Sequence, residues 1–217
     1  LEGLDPSGCG IVFIAGDFSP LAGFDFASLK KQQRWIKDRF FPWCAGYPET
    51  TFCVIAGNHD LTLEHPEEWP VSWPGNVLYL QDSGAEVKGL KIYGTPWVPY
   101  IQGRWAFEER FYGELYGHFR DIPGGIDILL THTPPVYPDA KIDISPNVAD
   151  CPHFGSVELS EAIERVKPSL VFCGHIHPGD HAPYTVRHTD GSATVVRNVS
   201  RLDNDYRVAF PPAVVEL

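Results

Sequence analysis

TFCVIAGNHD, residues 51–60, runs a short apolar segment into a cluster of polar and ionisable groups. The apolar part, Thr51–Ala56, is rich in β-branched and aromatic side chains and has the length of a buried strand. Gly57 then permits a sharp turn, and an amide, an imidazole and a carboxylate follow it. The same grammar recurs elsewhere. Ile11–Ala15 (IVFIA) runs into Gly16-Asp17, Ile126–Leu130 (IDILL) into Thr131-His132, and Leu170–Cys173 (LVFC) into Gly174-His175-Ile176-His177. Weaker strand patterns cover Val77–Leu80, Leu90–Tyr93, Tyr184–Arg187 and Ala193–Asn198. Two segments read as helices: Ser28 to Trp43 with Ser28 as N-cap, and Ser156 to Val166 with Leu159, Ile163 and Val166 on one face. Strands alternating with helices predict an α/β or mixed α/β sandwich. The aromatic- and proline-rich stretch Leu61–Gly125 predicts strands with substantial loops.

In open α/β sheets, ligands bind where the carboxyl ends of the strands open into a crevice. One histidine at a strand end is ordinarily a satisfied hydrogen-bonding group. Here four strands each deliver a polar group: Asp17, Asn58-His59, His132, and His175 with His177. Imidazole, carboxylate and amide oxygen are ligands for divalent transition metals such as Mn, Fe or Zn. His175 and His177, two residues apart in a turn, can splay toward two different ions. Two ions ~3.5–4 Å apart clamp both the attacking and the leaving oxygen of a displacement at phosphorus.

Composition bounds the alternatives. A chain of 217 residues, 43% apolar and 21% charged, is expected to form one domain spanning 1–217. Its formal charge of −11 disfavours nucleic-acid backbones and anionic membranes as partners. No apolar run approaches the ~18–20 residues of a membrane span, and no basic-then-apolar leader opens the chain. The five cysteines (Cys9, Cys44, Cys53, Cys151, Cys173) are odd in number and scattered, and Cys53 and Cys173 lie in apolar runs. They read as free thiols in a reducing, cytoplasmic setting. The sequence contains no methionine. Leu1 is therefore not expected to be a translation start, and a lost upstream segment is expected.

GD (16–17), GNHD (57–60), TH (131–132) and GHIH (174–177) stand in an order and spacing that resembles the calcineurin-like metallophosphoesterases. GDFS (16–19), GTPWVP (94–99), RWAF (104–107), THTPP (131–135) and NVS (198–200) resemble a narrower group, the metallophosphoesterase-domain-containing proteins related to class III cyclic-nucleotide phosphodiesterases. The resemblance implies a four-layer α/β/β/α sandwich with two mixed sheets. It implies two divalent metals, with Asp17 bridging them, Asn58, His132 and His175 completing the second site, and His177 in the first. It implies that His59 stabilises the transition state or protonates the leaving oxygen, and that a metal-bound hydroxide attacks a small phosphoester such as a cyclic nucleotide. That family opens with an Asp-x-His motif on its first strand. Residues 1–16 hold Asp5 but no histidine, so the first strand is expected to be missing and the first metal weakened. The closing PPAVVEL resembles the family's last strand. A catalytically impaired remnant that binds nucleotide or phosphate without efficient turnover is the alternative. The oligomeric state is left open.

Other residues carry weaker signals. His181 is a candidate substrate-binding residue beside Asn58 and His59. Trp97, Trp105 and Phe107 could stack on a nucleobase, although packing is the simpler role. His65, His118, His153 and His188 read as surface groups, and Asp25, Glu108 and Glu109 as solvated carboxylates. Asp60 has only adjacency to recommend it as the group that orients His59. Asn198-Val199-Ser200 fits a glycosylation sequon, which a cytoplasmic setting argues against.

Overall fold

A computed structural model describes residues 3–145 and 153–216. Strands β1 (Ile11–Ala15), β2 (Thr51–Ile55) and β3 (Val77–Tyr79) form a parallel sheet in that order. A larger sheet contains β4 (Ser83–Val87), β5 (Leu90–Thr95), β6 (Ile128–Thr131), β7 (Leu170–Cys173), β8 (Tyr184–Arg187) and β9 (Ala193–Asn198). Its order is β4-β5-β6-β7-β9-β8, parallel from β5 through β9 and antiparallel at both edges. Only this larger sheet is mixed among the described residues. The smaller one is purely parallel, where two mixed sheets were expected.

Alternation along β2 builds the layers, because successive side chains of a strand face opposite ways. Phe52 and Val54 face outward onto Ile36, Phe40 and Cys44 of the helical segment. Cys53 and Ile55 face inward and meet Ile92, Ile128, Leu130 and Phe172 of the larger sheet. The rings of Phe13 and Phe172 close this inner layer at 5.1 Å. On the far side, Leu115, Phe119, Leu159 and Ile163 cover Leu129, Val171 and Val196. The result is the α/β/β/α sandwich, its two sheets face to face and helices outside each.

The helical segment starts earlier than its sequence suggests. Helix α1 spans Phe26–Trp35, and its N-cap is Asp25, whose carboxylate accepts from Ser28 N at 2.9 Å. Asp25 is therefore a cap rather than a merely solvated group, and Ser28 lies inside the first turn. One wide turn, Ile36–Phe40, follows, in which Phe41 N donates to Ile36 O, and then α2 spans Phe41–Ala45. Pro42 has no N–H to give and its ring crowds the carbonyl four residues back, which a widened turn relieves. The short helices α3 (Leu61–Glu64) and α4 (Glu114–Arg120) lie within the aromatic- and proline-rich stretch. Helix α5 (Val157–Val166) is capped by Ser156 as expected, with Leu159 N donating to its hydroxyl at 3.1 Å. No strand occupies Pro211–Glu216, so the expected closing strand is absent there. Two prolines, each lacking an N–H, open that segment.

Cys44, Cys53 and Cys173 are buried free thiols, and burial pushes Cys44 and Cys53 up to about 12. Cys151 lies outside the described residues. His188 is buried rather than superficial, held by Glu164 at 2.9 Å and Thr194 Oγ1 at 2.8 Å. No helix among the described residues is long and apolar enough to cross a membrane.

Asp82 ties the edge of the larger sheet to α4. It accepts from Thr95 Oγ1 and Trp97 Nε1, both at 2.7 Å, and meets His118 Nδ1 at 2.9 Å. His118 in turn lies flat on Trp97, with centroids 3.7 Å apart, which takes both out of open solvent. Burial pushes the Asp82 carboxyl up, but His118, Thr95 and Trp97 outweigh it and hold it below its ordinary value. A carboxyl lowered in the fold adds stability above its unfolded value of ~3.9 and loses it as pH falls through the folded value. Asp82→Asn keeps the shape and tolerates the left-handed backbone there (φ 44°). It is expected to cost about 2 kcal/mol near neutral pH. The gap from wild type should narrow as pH drops below ~4, measured by denaturant unfolding across pH.

Candidate metal centre

Four strands end at one place. Asp17 follows β1, Asn58 follows β2, His132 follows β6, and His175 follows β7. Ligand atoms of Asp17, His132 and His175 lie within 4.8 Å of one another. His132 Nε2 is 3.0 Å from Asn58 Oδ1 and 3.2 Å from Asp17 Oδ2. The structure thus brings together Asp17, Asn58, His132 and His175, the four residues that the family resemblance assigns to one metal site.

The donor chemistry fits a divalent cation. His132 Nδ1 donates to the Ala15 carbonyl at 2.7 Å, so the lone pair of a neutral ring sits on Nε2. That lone pair faces two oxygens which are themselves acceptors. Acceptors converging on one point need a cation between them, whether a proton or a metal ion. The bond to Ala15 O is the kind that fixes the tautomer of a ligating imidazole.

Electrostatics agree with this picture. Burial pushes Asp17 up, but the charge and hydrogen bond of His132, with help from His59, hold it well below the usual carboxylate range. Burial pushes His132 down, and Asp17 more than restores it, leaving it raised. His175 is driven down to about 3, by burial first and then by the charge of His132, so its ring is neutral. His177 is lowered, chiefly by burial. Burial and the Asp17 charge push Asp60 up to about 6.

The backbone is shaped to bring these groups together. Asp17 (φ 53°) and His175 (φ 66°) both adopt the left-handed conformation, a strained state concentrated at functional sites. A Cβ on Gly57 would run into the Asp17 carboxylate and come within 2.5 Å of His132 Cε1, so no side chain fits there.

The remaining candidates lie around this cluster. His59 N donates to Asp17 Oδ1 at 2.8 Å, and the His59 carbonyl accepts from Gln32 Nε2 at 2.7 Å. Asp60 accepts from Gly57 N at 2.8 Å, from Ser19 N at 3.0 Å and from the Ser19 hydroxyl. It ties the turn after β1 to the turn after β2, and its hydrogen bonds go to Ser19 and Gly57 rather than to the His59 ring. His177 stands outside the compact trio, its Nδ1 donating to Asp203 O at 3.2 Å and its Nε2 left available. His181 sits next to it, with Nε2 3.2 Å from His177 O and its ring on Phe210 at 3.6 Å. Asn198 is buried and donates to Ile142 O and Ile176 O, which secures the GHIH turn and leaves its amide engaged.

Two residues at the site had no sequence signal as functional groups. Glu108, expected in solvent, is fully buried, and its carboxylate accepts from the backbone N–H groups of Ile101 to Trp105. Tyr206 is 62% exposed, with its ring 5.2 Å from that of His177 and 6.1 Å from that of His59. Of the three aromatics singled out earlier, Phe107 and Trp97 pack edge to face at 5.7 Å, while Trp105 lies against His59.

Residues 2–179 match the family of calcineurin-like phosphoesterases. The chain belongs to that family. Human and mouse metallophosphoesterase domain-containing protein 1 are each 34% identical over 203 residues, covering 82% of this chain and 59% of theirs. This calcineurin-like phosphoesterase chain therefore spans less than two thirds of the length of those relatives. A solved crystal structure shares the fold with a TM-score of 0.59 at 18% identity, covering 88% of this chain and 79% of its own.

Elemental analysis of dialysed protein is expected to find closer to one transition-metal ion than two per chain, because Asp17, Asn58, His132 and His175 form the one compact donor set among the described residues. His132→Ala is expected to abolish that retention, since it removes the imidazole at the centre of the set. Two tightly held ions would show that residues outside this set complete a second site.

Proposed function

We propose that this chain is a metal-dependent phosphoester hydrolase, more narrowly a phosphodiesterase acting on cyclic nucleotides or similar small phosphoesters. The observation that carries this reading is the convergence of Asp17, Asn58, His132 and His175 on one point, with His59 alongside. In this reading Asp17, Asn58, His132 and His175 hold one divalent ion, and Asp17 with His177 contributes to a second. Mn, Fe or Zn each suit such a nitrogen and oxygen donor set. Ions bound there would lower the pKa of water and neutralise charge developing on a phosphoryl group.

The protein's own residues do the rest. In this reading Asn58, His59 and His181 contact the substrate, and His181 Nε2, 3.2 Å from His177 O, also supports the loop that carries His177. His59 is anchored through its main chain at both N–H and carbonyl, so its ring can give a proton to the leaving oxygen without disturbing the turn. A second reading, ligand binding without efficient turnover, draws support from His177 standing outside the compact donor set found among the described residues. The net charge of −11 supports a small-molecule substrate over nucleic acid or anionic membranes. The buried free thiols support a reducing, cytoplasmic setting.

His59→Ala is expected to leave metal content intact and to lower turnover of diphenyl phosphate ~10²–10⁴-fold, the range of a lost general acid. The loss should be smaller on bis(p-nitrophenyl) phosphate, whose leaving group departs without a proton. Loss of metal in His59→Ala would instead make His59 a ligand. Wild-type protein that binds phosphate but hydrolyses neither ester would favour the second reading.

A further inference from the structure

A proton donor must be aimed, and catalytic histidines are usually aimed by a hydrogen bond to one ring nitrogen. His59 lacks one: among the described residues no hydrogen bond reaches its ring, and Asp60 beside it is committed to Ser19 and Gly57. The nearer of its two ring neighbours among the described residues is Trp105, the ring of Tyr206 lying farther off at 6.1 Å. The His59 and Trp105 rings are stacked 4.8 Å apart with planes only 15° from parallel.

Trp105 is itself held by its backbone. Its N–H donates to Glu108 Oε2 at 3.0 Å, one of five consecutive amides, from Ile101 to Trp105, gathered on that carboxylate. The next residue, Ala106, donates its N–H to the carbonyl of Asn58 at 3.2 Å, which stitches the loop to the residue before His59. The indole Nε1 is buried without a partner, so no polar contact fixes the side chain. Phe24 braces it edge to face at 5.1 Å.

We propose that Trp105 is a positioning residue for His59, with Glu108 holding the loop that presents it. The proposal rests on the proton-donor reading of His59. Stacking restrains rotation of the imidazole while leaving both of its nitrogens free in the ring plane. A hydrogen bond would have consumed one of them.

The test is a kinetic cycle on aryl phosphodiesters, diphenyl phosphate against bis(p-nitrophenyl) phosphate, in the metal-loaded protein. Trp105→Leu is expected to lower kcat ~10–100-fold on diphenyl phosphate, the scale of a misplaced catalytic group, with KM little changed. Bis(p-nitrophenyl) phosphate should suffer far less. Trp105→Phe, which keeps a ring to stack, should stay near wild type. In a His59→Ala background, Trp105→Leu should add nothing further. A full multiplicative loss in that background, or equal losses on the two esters, overturns the proposal. His59→Ala with wild-type turnover overturns the proton-donor reading and this proposal together. Proton NMR of the wild-type protein provides a check that does not depend on any tryptophan variant folding. The His59 ring protons, assigned by their loss in His59→Ala, should be shifted upfield by the indole, and random-coil positions would overturn the stack.

Discussion

The hydrogen bond from His132 to the Ala15 carbonyl joins residues 117 apart in sequence and belongs to both sheets at once. It reaches from the end of β6 in the larger sheet to the end of β1 in the smaller one. Everything at the site depends on it. It orients the imidazole, chooses the nitrogen that faces Asp17 and Asn58, and fixes how far apart the carboxyl ends of the two sheets can lie. The inner layer of Cys53, Ile55, Ile92, Leu130 and Phe172 holds the sheets together by burial, which is strong but not directional. The directional contact is the one that turns a sandwich edge into a site with defined geometry.

Much of this was readable from the sequence, for a physical reason. A strand buried on both faces must be apolar throughout, and a glycine followed by polar groups marks where it leaves the core. Thr51–Ile55 and Leu170–Cys173 are close to this and deliver Asn58 and His175, while Ile11–Ala15, wholly apolar though only part-buried up to Ala15, delivers Asp17. What stayed hidden lacked such a signature. Strand β4, SGAEV, has few strand-forming residues and borrows its conformation from β5. Helix α4, ELYGHFR, buries only Leu115 and Phe119 and carries a glycine. Asp25 and Glu108 look like solvent carboxylates because the groups they accept are main-chain amides, which every sequence has and no sequence displays.

The site also divides into parts of different character. The metal-facing cluster is rigidly specified, with left-handed Asp17 and His175 and a Gly57 that leaves no room for a side chain. Around it stand loops held by single carboxylates. Glu108 gathers residues 101–105, and Asp203 accepts from Asp205 N and Arg207 N on either side of Tyr206. The chemistry is set by the strands, while the shape of the opening is set by the loops.

The wide turn at Ile36–Phe40 has an implication for how this chain tolerates change in length. A turn closed over five residues instead of four holds one residue more than a regular helix needs. Deleting a residue there would regularise the helix but set the Pro42 ring against the carbonyl four residues before it. The residues after it would keep nearly their present facing, since five residues of a wide turn advance about as far round the axis as four of a regular one. Cys44, which packs on Phe52 and whose carbonyl accepts from Asn76 at 2.9 Å, would still face the smaller sheet. The irregular turn therefore takes up length rather than setting register: loss of its spare residue leaves the packing in phase, and the cost falls on the proline.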